Sequence, residues 1–450
     1  MLPEAVENYL SKYALRGWEI ESATLKNIST AIIVPAIREY ENIKRLLISL
    51  ADNDQKFFNS TLVIFVINNS ALSSAQIKED NGKSIYLLNS IIGNNFADNA
   101  DLINKVRVSG LNIGFVDAAS AGKELPQKDA GVGLARKIGM DLALLIFDYD
   151  PPGKKILVCL DADCTVESNY ITEIVNHFNT HDSSAAAVDY VHKTDGSEEE
   201  VNAIICYEIF LRYYELGLKY AGSPFAFPTI GSTMICDYQS YIKTEGMNKR
   251  KAAEDFYFLE KLAKNYPVKM IRTTTVYPSS RRSWRVPFGT GQRVNRFLAH
   301  VQDEYVLYNP KSFFILKEWL KIFNNETQYL STSLLKSAKD IDYNLFMFLY
   351  KQGFEIDWQR ILDNSKTKEQ IQRQKIRWFD GFRTLKLIHF LRENGYPMIN
   401  MFEALDSLLG KFNTGIPPSD LPSDKRTSNN IPGIEIQRIY LKLLRTQLQN

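Results

Sequence analysis

The chain has 450 residues, with 54 Lys and Arg against 52 Asp and Glu, so its formal net charge is only +2. Hydrophobic residues make up 45% and charged residues 24%, which excludes a disordered chain, a collagen-like repeat and a low-complexity fibre. The near-neutral balance gives no basis for nucleic acid as the main partner. Residues 311–450 nevertheless hold 21 basic and 15 acidic side chains, a net of +6, while residues 1–310 hold 33 and 37, a net of −4. A basic tail of this kind suits either a solvated helical face or contact with an anionic membrane surface.

The four cysteines, Cys159, Cys164, Cys206 and Cys236, form no Cys-x-x-Cys pair and are too few for a disulfide framework in so long a chain. The N-terminal residues 1–22 carry charges throughout and lack the apolar stretch of a signal peptide. No run approaches the ~18–20 apolar residues that span a bilayer. The expectation is a soluble, cytoplasmic protein.

Apolar runs of strand length alternate with helix-like segments through the first 280 residues. Ala31–Val34 reads as a buried strand stopped by Pro35, and Glu41–Leu50 has helical spacing. Leu62–Ile67 is a second strand, closed by Asn68, Asn69 and Ser70. Residues 71–125 read as irregular, with a strand near Lys105–Val108. Gly131–Phe147 is a helix, Lys155–Leu160 a strand, and Ser168 a candidate N-cap for a helix over Tyr170–Phe178. Ala185–Tyr190 is a strand, Glu199–Tyr220 a long helix, Thr233–Cys236 a short strand, Glu254–Lys264 a helix and Val268–Arg272 a strand. This alternation predicts a mainly parallel sheet covered on both faces, with ligands at the carboxyl ends of its strands.

From about residue 296 helical periodicity takes over: Phe313–Phe323, Tyr329–Tyr350, Trp358–Leu362, Ile371–Arg392 and Met401–Phe412. Residues 413–433 are rich in Pro, Ser, Asp and Asn and read as a loop or linker before a final amphipathic helix, Ile434–Leu448. The expected division is a catalytic region over 1–295, a helical region over 296–412, the linker 413–433 and the terminal helix within 434–450.

Four stretches carry chemistry. Asp161-Ala162-Asp163 follows a buried strand directly, so its carboxylates leave the sheet where ligands bind. Two such oxygens suit Mg²⁺ or Mn²⁺ sharing its shell with substrate phosphate, although Asp-x-Asp also occurs in ordinary turns. Gly131–Gly139 opens a helix with small residues and places Arg136 and Lys137 near its start, which suits an anion or a helix packed closely through its glycines. Glu254-Asp255 at a helix start reads as dipole-complementing acids or as a general base. Pro278–Gly291 holds Arg281, Arg282 and Arg285 around Ser283 and Trp284, a basic loop able to grip phosphate oxygens. The aromatic spacing of Tyr207, Phe210, Tyr213 and Tyr214 suits core packing or a sugar subsite.

In order and spacing these stretches resemble family 2 glycosyltransferases of the GT-A fold, over roughly residues 28–295. Ile32–Glu39 resembles the opening strand with its Pro35 and Glu39, with Arg38 where members usually carry Asn. Val66–Ser70 resembles the end of the second strand, with Ile67 and Asn68 in the slots usually acidic. Gly133–Gly139 resembles the Gly…Ala-Arg-Asn-x-Gly helix, with Lys137 for Asn. Gly231-Ser232-Thr233 and Gly246-Met247 look like the acceptor-side loop. The Gln-x-x-Arg-Trp motif of processive members is absent. The resemblance implies an α/β, Rossmann-like GT-A sheet, mainly parallel with helices on both faces, plus a C-terminal helical extension.

For function it implies an inverting, metal-assisted transfer of a sugar from a nucleoside-diphosphate sugar to a saccharide or lipid-linked acceptor. Asp255 would be the base with Glu254 beside it, and Asp161 and Asp163 would hold the divalent cation. Pro35, Ile37, Glu39, Asn68, Arg136, Asp161, Arg281 and Arg285 would contact the donor. His300 lies where some relatives place a further metal ligand. The basic segment Lys366–Arg377, running into Trp378 and Phe379, is a candidate for peripheral contact with the inner face of a membrane. Two rivals stand beside this reading: a nucleotidyltransferase that makes nucleotide sugars, and an inactive nucleotide-sugar-binding scaffold.

Overall fold

The computed structural model describes residues 2–23, 25–93, 98–281, 289–325, 330–412 and 431–449. Met1–Lys193 with Thr229–Ser279 form one compact unit, and Thr194–Pro228 with Thr290–Asn450 a second, with which Arg281 groups.

The first unit is built on a sheet of β1 (Glu21–Ser22), β2 (Thr30–Ala36), β3 (Thr61–Asn68), β4 (Asn112–Ala118), β5 (Ile156–Cys159), β6 (Thr165–Val166), β7 (Ala185–Tyr190), β8 (Met234–Asp237) and β9 (Val268–Tyr277). Their spatial order among the described residues is β1-β4-β3-β2-β5-β8-β7-β9-β6. The pairings β2–β3, β3–β4, β2–β5 and β7–β9 are parallel, and β8 runs antiparallel between β5 and β7. Strands β2, β3, β4, β5, β7 and β9 therefore share one direction, and the sheet is mainly parallel, as expected.

The helices in chain order are α1 (Glu4–Tyr13), α2 (Tyr40–Ala51), α3 (Ala75–Gly93), α4 (Ala100–Ser109), α5 (Val132–Ile146), α6 (Tyr170–Thr180), α7 (Glu198–Tyr220, in the second unit), α8 (Tyr238–Lys243) and α9 (Glu254–Ala263). Both faces of the sheet are covered, which is why its central strands are apolar without alternation. Ile32, Val34, Val63, Phe65 and Ile67 share one core with Leu46 and Leu47 of α2 and with residues of α3, α4 and α6, while α5 lies against β2 and β3.

From β2 the chain moves outward to β3 and β4, then returns to the other side of β2 as β5. The strand order thus reverses between β2 and β5. Open α/β sheets place their ligands at that point, beyond the carboxyl ends of the two strands. Ile37–Glu39 follows β2 there and Asp161–Asp163 follows β5.

The structure differs from the sequence reading in several elements. Residues 105–108 lie in helix α4, and the strand is the following β4, whose Asn112, Gly114 and Asp117 disguise it. Asp117 is buried because its carboxylate accepts from the N–H groups of Ala119 and Ser120, at 3.1 and 2.9 Å. The helix starting at Tyr170 has Asn169, rather than Ser168, at its N-cap position, and no side-chain cap bond.

The second unit packs α7 with α10 (Thr290–Leu298), α11 (Pro310–Phe323), α12 (Ser331–Ile341), α13 (Tyr343–Lys351), α14 (Phe354–Asn364), α15 (Lys368–Trp378), α16 (Gly381–Glu393), α17 (Met401–Leu409) and α18 (Ile434–Gln449). The helix expected over 329–350 is broken at Asp342, whose carboxylate caps α13 by accepting from the N–H groups of Asn344 and Leu345. That over 371–392 is broken at Asp380, which caps α16. Linker residues 413–430 lie outside the described residues.

The basic C-terminal segment does not present its aromatic residues to a membrane. Trp378 and Phe379 are 5% and 3% exposed, Trp378 packs edge-on against Phe354 at 4.8 Å, and Phe379 meets Trp319 at 6.0 Å. Lys375 is buried and donates to the Asn325 carbonyl at 2.8 Å. Trp378 and Phe379 belong to the unit's own hydrophobic core. Among the described residues no helix is long and apolar enough to cross a membrane. Tyr213 is likewise core, its hydroxyl donating to the Tyr308 carbonyl at 2.6 Å, and Phe210 and Tyr214 pack beside Tyr308.

Candidate functional site

Two acidic stretches far apart in sequence meet on one side chain. Arg136, in the second turn of α5, donates through Nη2 to Asp161 Oδ1 at 2.5 Å and through Nη1 to Glu254 Oε1. The end of β5 and the start of α9 are thereby one guanidinium apart. Arg136 is 2% exposed. Burial pulls its charge down, but Asp161 and Glu254 outweigh burial and hold it protonated. Taking either acid away would leave the other charges buried and poorly paired, an arrangement that costs several kcal/mol.

The glycines of α5 make this meeting possible. A Cβ at Gly133 would lie 2.4 Å from the Arg250 carbonyl oxygen, 2.9 Å from that of Asn248 and 3.0 Å from Glu254 Cβ. Only a residue without a side chain lets the helix start press against the backbone that leads into α9. Asn248 closes the same contact by donating to the Glu254 carbonyl at 2.8 Å. Gly231 also lies against the guanidinium, where a Cβ would meet Nη2 at 2.3 Å. The glycines of this helix are packed closely, as one of its two readings expects. Arg136, expected to face a diphosphate, is turned inward and engaged twice.

Asp255 stands next to this cluster. Ala253 before it holds φ +58, a left-handed conformation that costs a non-glycine residue about 1–2 kcal/mol. Such strain persists where the surroundings enforce it, commonly at functional sites. Glu254 is buried and turned to Arg136, whereas Asp255 remains partly exposed. Desolvation and then the negative charge of Glu254 push the Asp255 carboxyl up to about 7, against the opposing pull of Arg136. A carboxyl near neutrality beside others that are neutralised is suited to taking a proton.

Asp161 and Asp163 are both half-buried. Among the described residues no group of three His, Cys, Asp or Glu is arranged to hold a metal. A cation here would draw further ligands from substrate phosphate and water. The oxygen-only donor set fits Mg²⁺ or Mn²⁺, which are bound in that manner. His300 joins no such group; it is exposed, at φ +48.

The other expected donor contacts fall as follows. Pro35 is the next-to-last residue of β2, paired with Val66. Ile37 is half-buried. Glu39 is 5% exposed and accepts from the Asn42 side chain at 2.6 Å. Asn68 donates to the carbonyls of Ala36 and Val66, at 3.0 and 3.1 Å, so its amide ties the ends of β2 and β3 together. Asn81 extends the tie, donating to the Asn68 carbonyl and the Asn69 side chain, at 3.0 and 2.7 Å. Arg281 is half-buried in the second unit, and Arg285 lies outside the described residues.

The sequence reading missed a second buried polar group on α5. Lys137 pairs with Asp141 at 2.9 Å, and Asp141 also accepts from the hydroxyls of Tyr9 and Tyr241. A Lys–Asp pair four residues apart in an otherwise apolar helix was its available signal.

No protein-family profile matches the chain, and no curated protein matches it. Solved structures similar to it include residues 1–349 of TarS from S. aureus, at 14% identity and a TM-score of 0.33, covering 72% of this chain and 92% of that one. Another is the mannosyltransferase PcManGT from Pyrobaculum calidifontis in complex with GDP-Man and Mn²⁺, at 11% identity and 0.34, covering 86% and 92%. A third is glucosyl-3-phosphoglycerate synthase from Mycobacterium tuberculosis with Mn²⁺, UDP-glucose and phosphoglyceric acid, at 11% and 0.32, covering 67% and 85%.

Proposed function

We propose that the protein is a glycosyltransferase that moves a sugar from a nucleoside-diphosphate sugar to an acceptor hydroxyl, with inversion at the anomeric carbon. The observation that carries this reading is the convergence of Asp161 and Glu254 on Arg136 beside an Asp255 held near neutrality. That convergence lies where the strand order reverses, the place this class of sheet reserves for ligands.

In the proposed reaction the acceptor oxygen attacks the anomeric carbon opposite the diphosphate. The new carbon–oxygen bond forms as the bond to the diphosphate oxygen breaks, and the bonding pair leaves with the diphosphate. Asp255 accepts the acceptor's hydroxyl proton. Glu254 keeps Asp255 basic by its charge, and Arg136 prevents Glu254 and Asp161 from repelling one another out of place. Asp161 and Asp163 would hold the divalent cation, which supplies positive charge for the departing diphosphate. Electrostatics favour such an ion: Asp161, Glu254 and Asp255 gather around one buried guanidinium, and a diphosphate adds further negative charge.

Thermal-shift and calorimetric titration with UDP and GDP, with and without Mn²⁺, test this reading. The expected result is stabilisation by one nucleoside diphosphate that requires the ion and is lost in excess EDTA. Indifference to both nucleotides in the presence of Mn²⁺ would count against a nucleotide-sugar enzyme. Nucleotide-sugar synthesis from a sugar phosphate would favour the nucleotidyltransferase instead.

A further inference from the structure

Lys137, which stands where the resemblance has Asn, and Gly246 meet at the Tyr9 hydroxyl. Tyr9 of α1 is 4% exposed, as are Lys137 and Asp141, and Tyr241 is fully buried. The Tyr9 hydroxyl donates to Asp141 Oδ1 at 2.8 Å and accepts from Lys137 Nζ at 3.1 Å. Tyr241 donates to the same carboxylate oxygen at 2.7 Å, and Lys137 pairs with the other at 2.9 Å. Gly246 leaves the space: at φ +71, a Cβ there would stand 1.9 Å from the Tyr9 hydroxyl.

One turn further along α1, Tyr13 donates to Glu245 Oε1 at 2.8 Å, and Lys261 of α9 donates to Glu245 Oε2 at 3.2 Å. The N-terminal helix therefore grips three things at once: α5 one residue beyond Arg136, α8 through Tyr241, and the 245–246 turn that leads into α9. The same α5 bears Gly133 against the carbonyls of residues 248 and 250.

We propose that α1 is a clamp for the candidate active site, with Tyr9 as a positioning residue that fixes α5 and the 244–258 segment so that Arg136 meets both Asp161 and Glu254. This inference rests on the transferase reading for its effect on turnover, but not for the clamp itself. Burial and the Asp141 charge keep the Tyr9 hydroxyl protonated, so it remains a donor across the range in which enzymes work. Groups of this kind act by holding others within a fraction of an ångström of a productive arrangement.

Tyr9→Phe keeps the ring and removes the hydroxyl. Hydrogen exchange should quicken at least tenfold across residues 244–258 while β2, β3 and β4 stay unchanged. In the same preparation kcat should fall about tenfold, with the donor KM within twofold of wild type. Should Tyr9→Phe fold poorly, Tyr13→Phe removes only an exposed contact and should quicken exchange about threefold over residues 244–250. Unchanged exchange there, equal quickening throughout the sheet, or local loosening with unaltered kcat would each overturn the proposal. A wild type that transfers no sugar, with local loosening still seen in Tyr9→Phe, would refute the transferase reading and leave the clamp standing.

Discussion

Both units bury an arginine among carboxylates, with different results. In the second unit Glu208 Oε1 accepts from Arg212 Nε at 2.7 Å and from Arg445 at 2.8 and 2.9 Å. One carboxylate thus meets two cations, and the cluster staples α18 to α7. In the first unit one guanidinium meets two carboxylates, and a third acid stands beside them. The first arrangement sets two guanidinium groups on one carboxylate oxygen. The second is short of positive charge, and the deficit falls on the partly exposed Asp255. A buried ion pair is ordinarily structural; it becomes a candidate for chemistry when its imbalance perturbs an accessible neighbour.

Breaking each arrangement should separate them. Asp255→Asn should lower kcat by about 10²–10⁴-fold, the usual contribution of a general base, while calorimetry finds nucleotide binding within a few-fold of wild type. Loss of binding in parallel would move Asp255 from base to binding. Arg136→Met leaves Asp161 and the buried Glu254 unpaired and should cost about 3–5 kcal/mol in chemical denaturation. For the wild type, kcat/KM should fall tenfold per pH unit below about 7, because Asp255 must be ionised to act and its carboxyl is held near that value. A profile flat down to pH 5 would exclude it as the base. Arg445→Met leaves Glu208 paired with Arg212, so the same measurement should register only about 1–2 kcal/mol.

The fold was legible where burial is complete. β2, β3, β5 and β7 are covered on both faces, so their apolar runs stand out from any neighbour. β4 was hidden because it buries Asp117 and ties up the half-buried Asn112 in hydrogen bonds, and the polar pattern imitates a loop. Asp342 and Asp380 cut expected long helices in two; both look like ordinary exposed acids until their capping bonds are seen. In the site, Asp161 and Glu254 could be picked out by their place after a strand and at a helix start. Spacing alone left open which face of α5 Arg136 occupies. Nearly every residue from Gly133 to Leu144 is buried, so helical periodicity offered no exposed face to count from. Tyr9 was illegible for a different reason: its partner Asp141 lies 132 residues away.

The most direct test is a crystal structure of the protein with UDP or GDP and Mn²⁺. The account predicts the diphosphate beyond the ends of β2 and β5, an ion on Asp161 and Asp163 at about 2.0–2.3 Å, and Asp255 open to the opposite face of the bound nucleotide's sugar site. A diphosphate bound at another edge of the sheet, with Asp161 and Asp163 untouched, would contradict it.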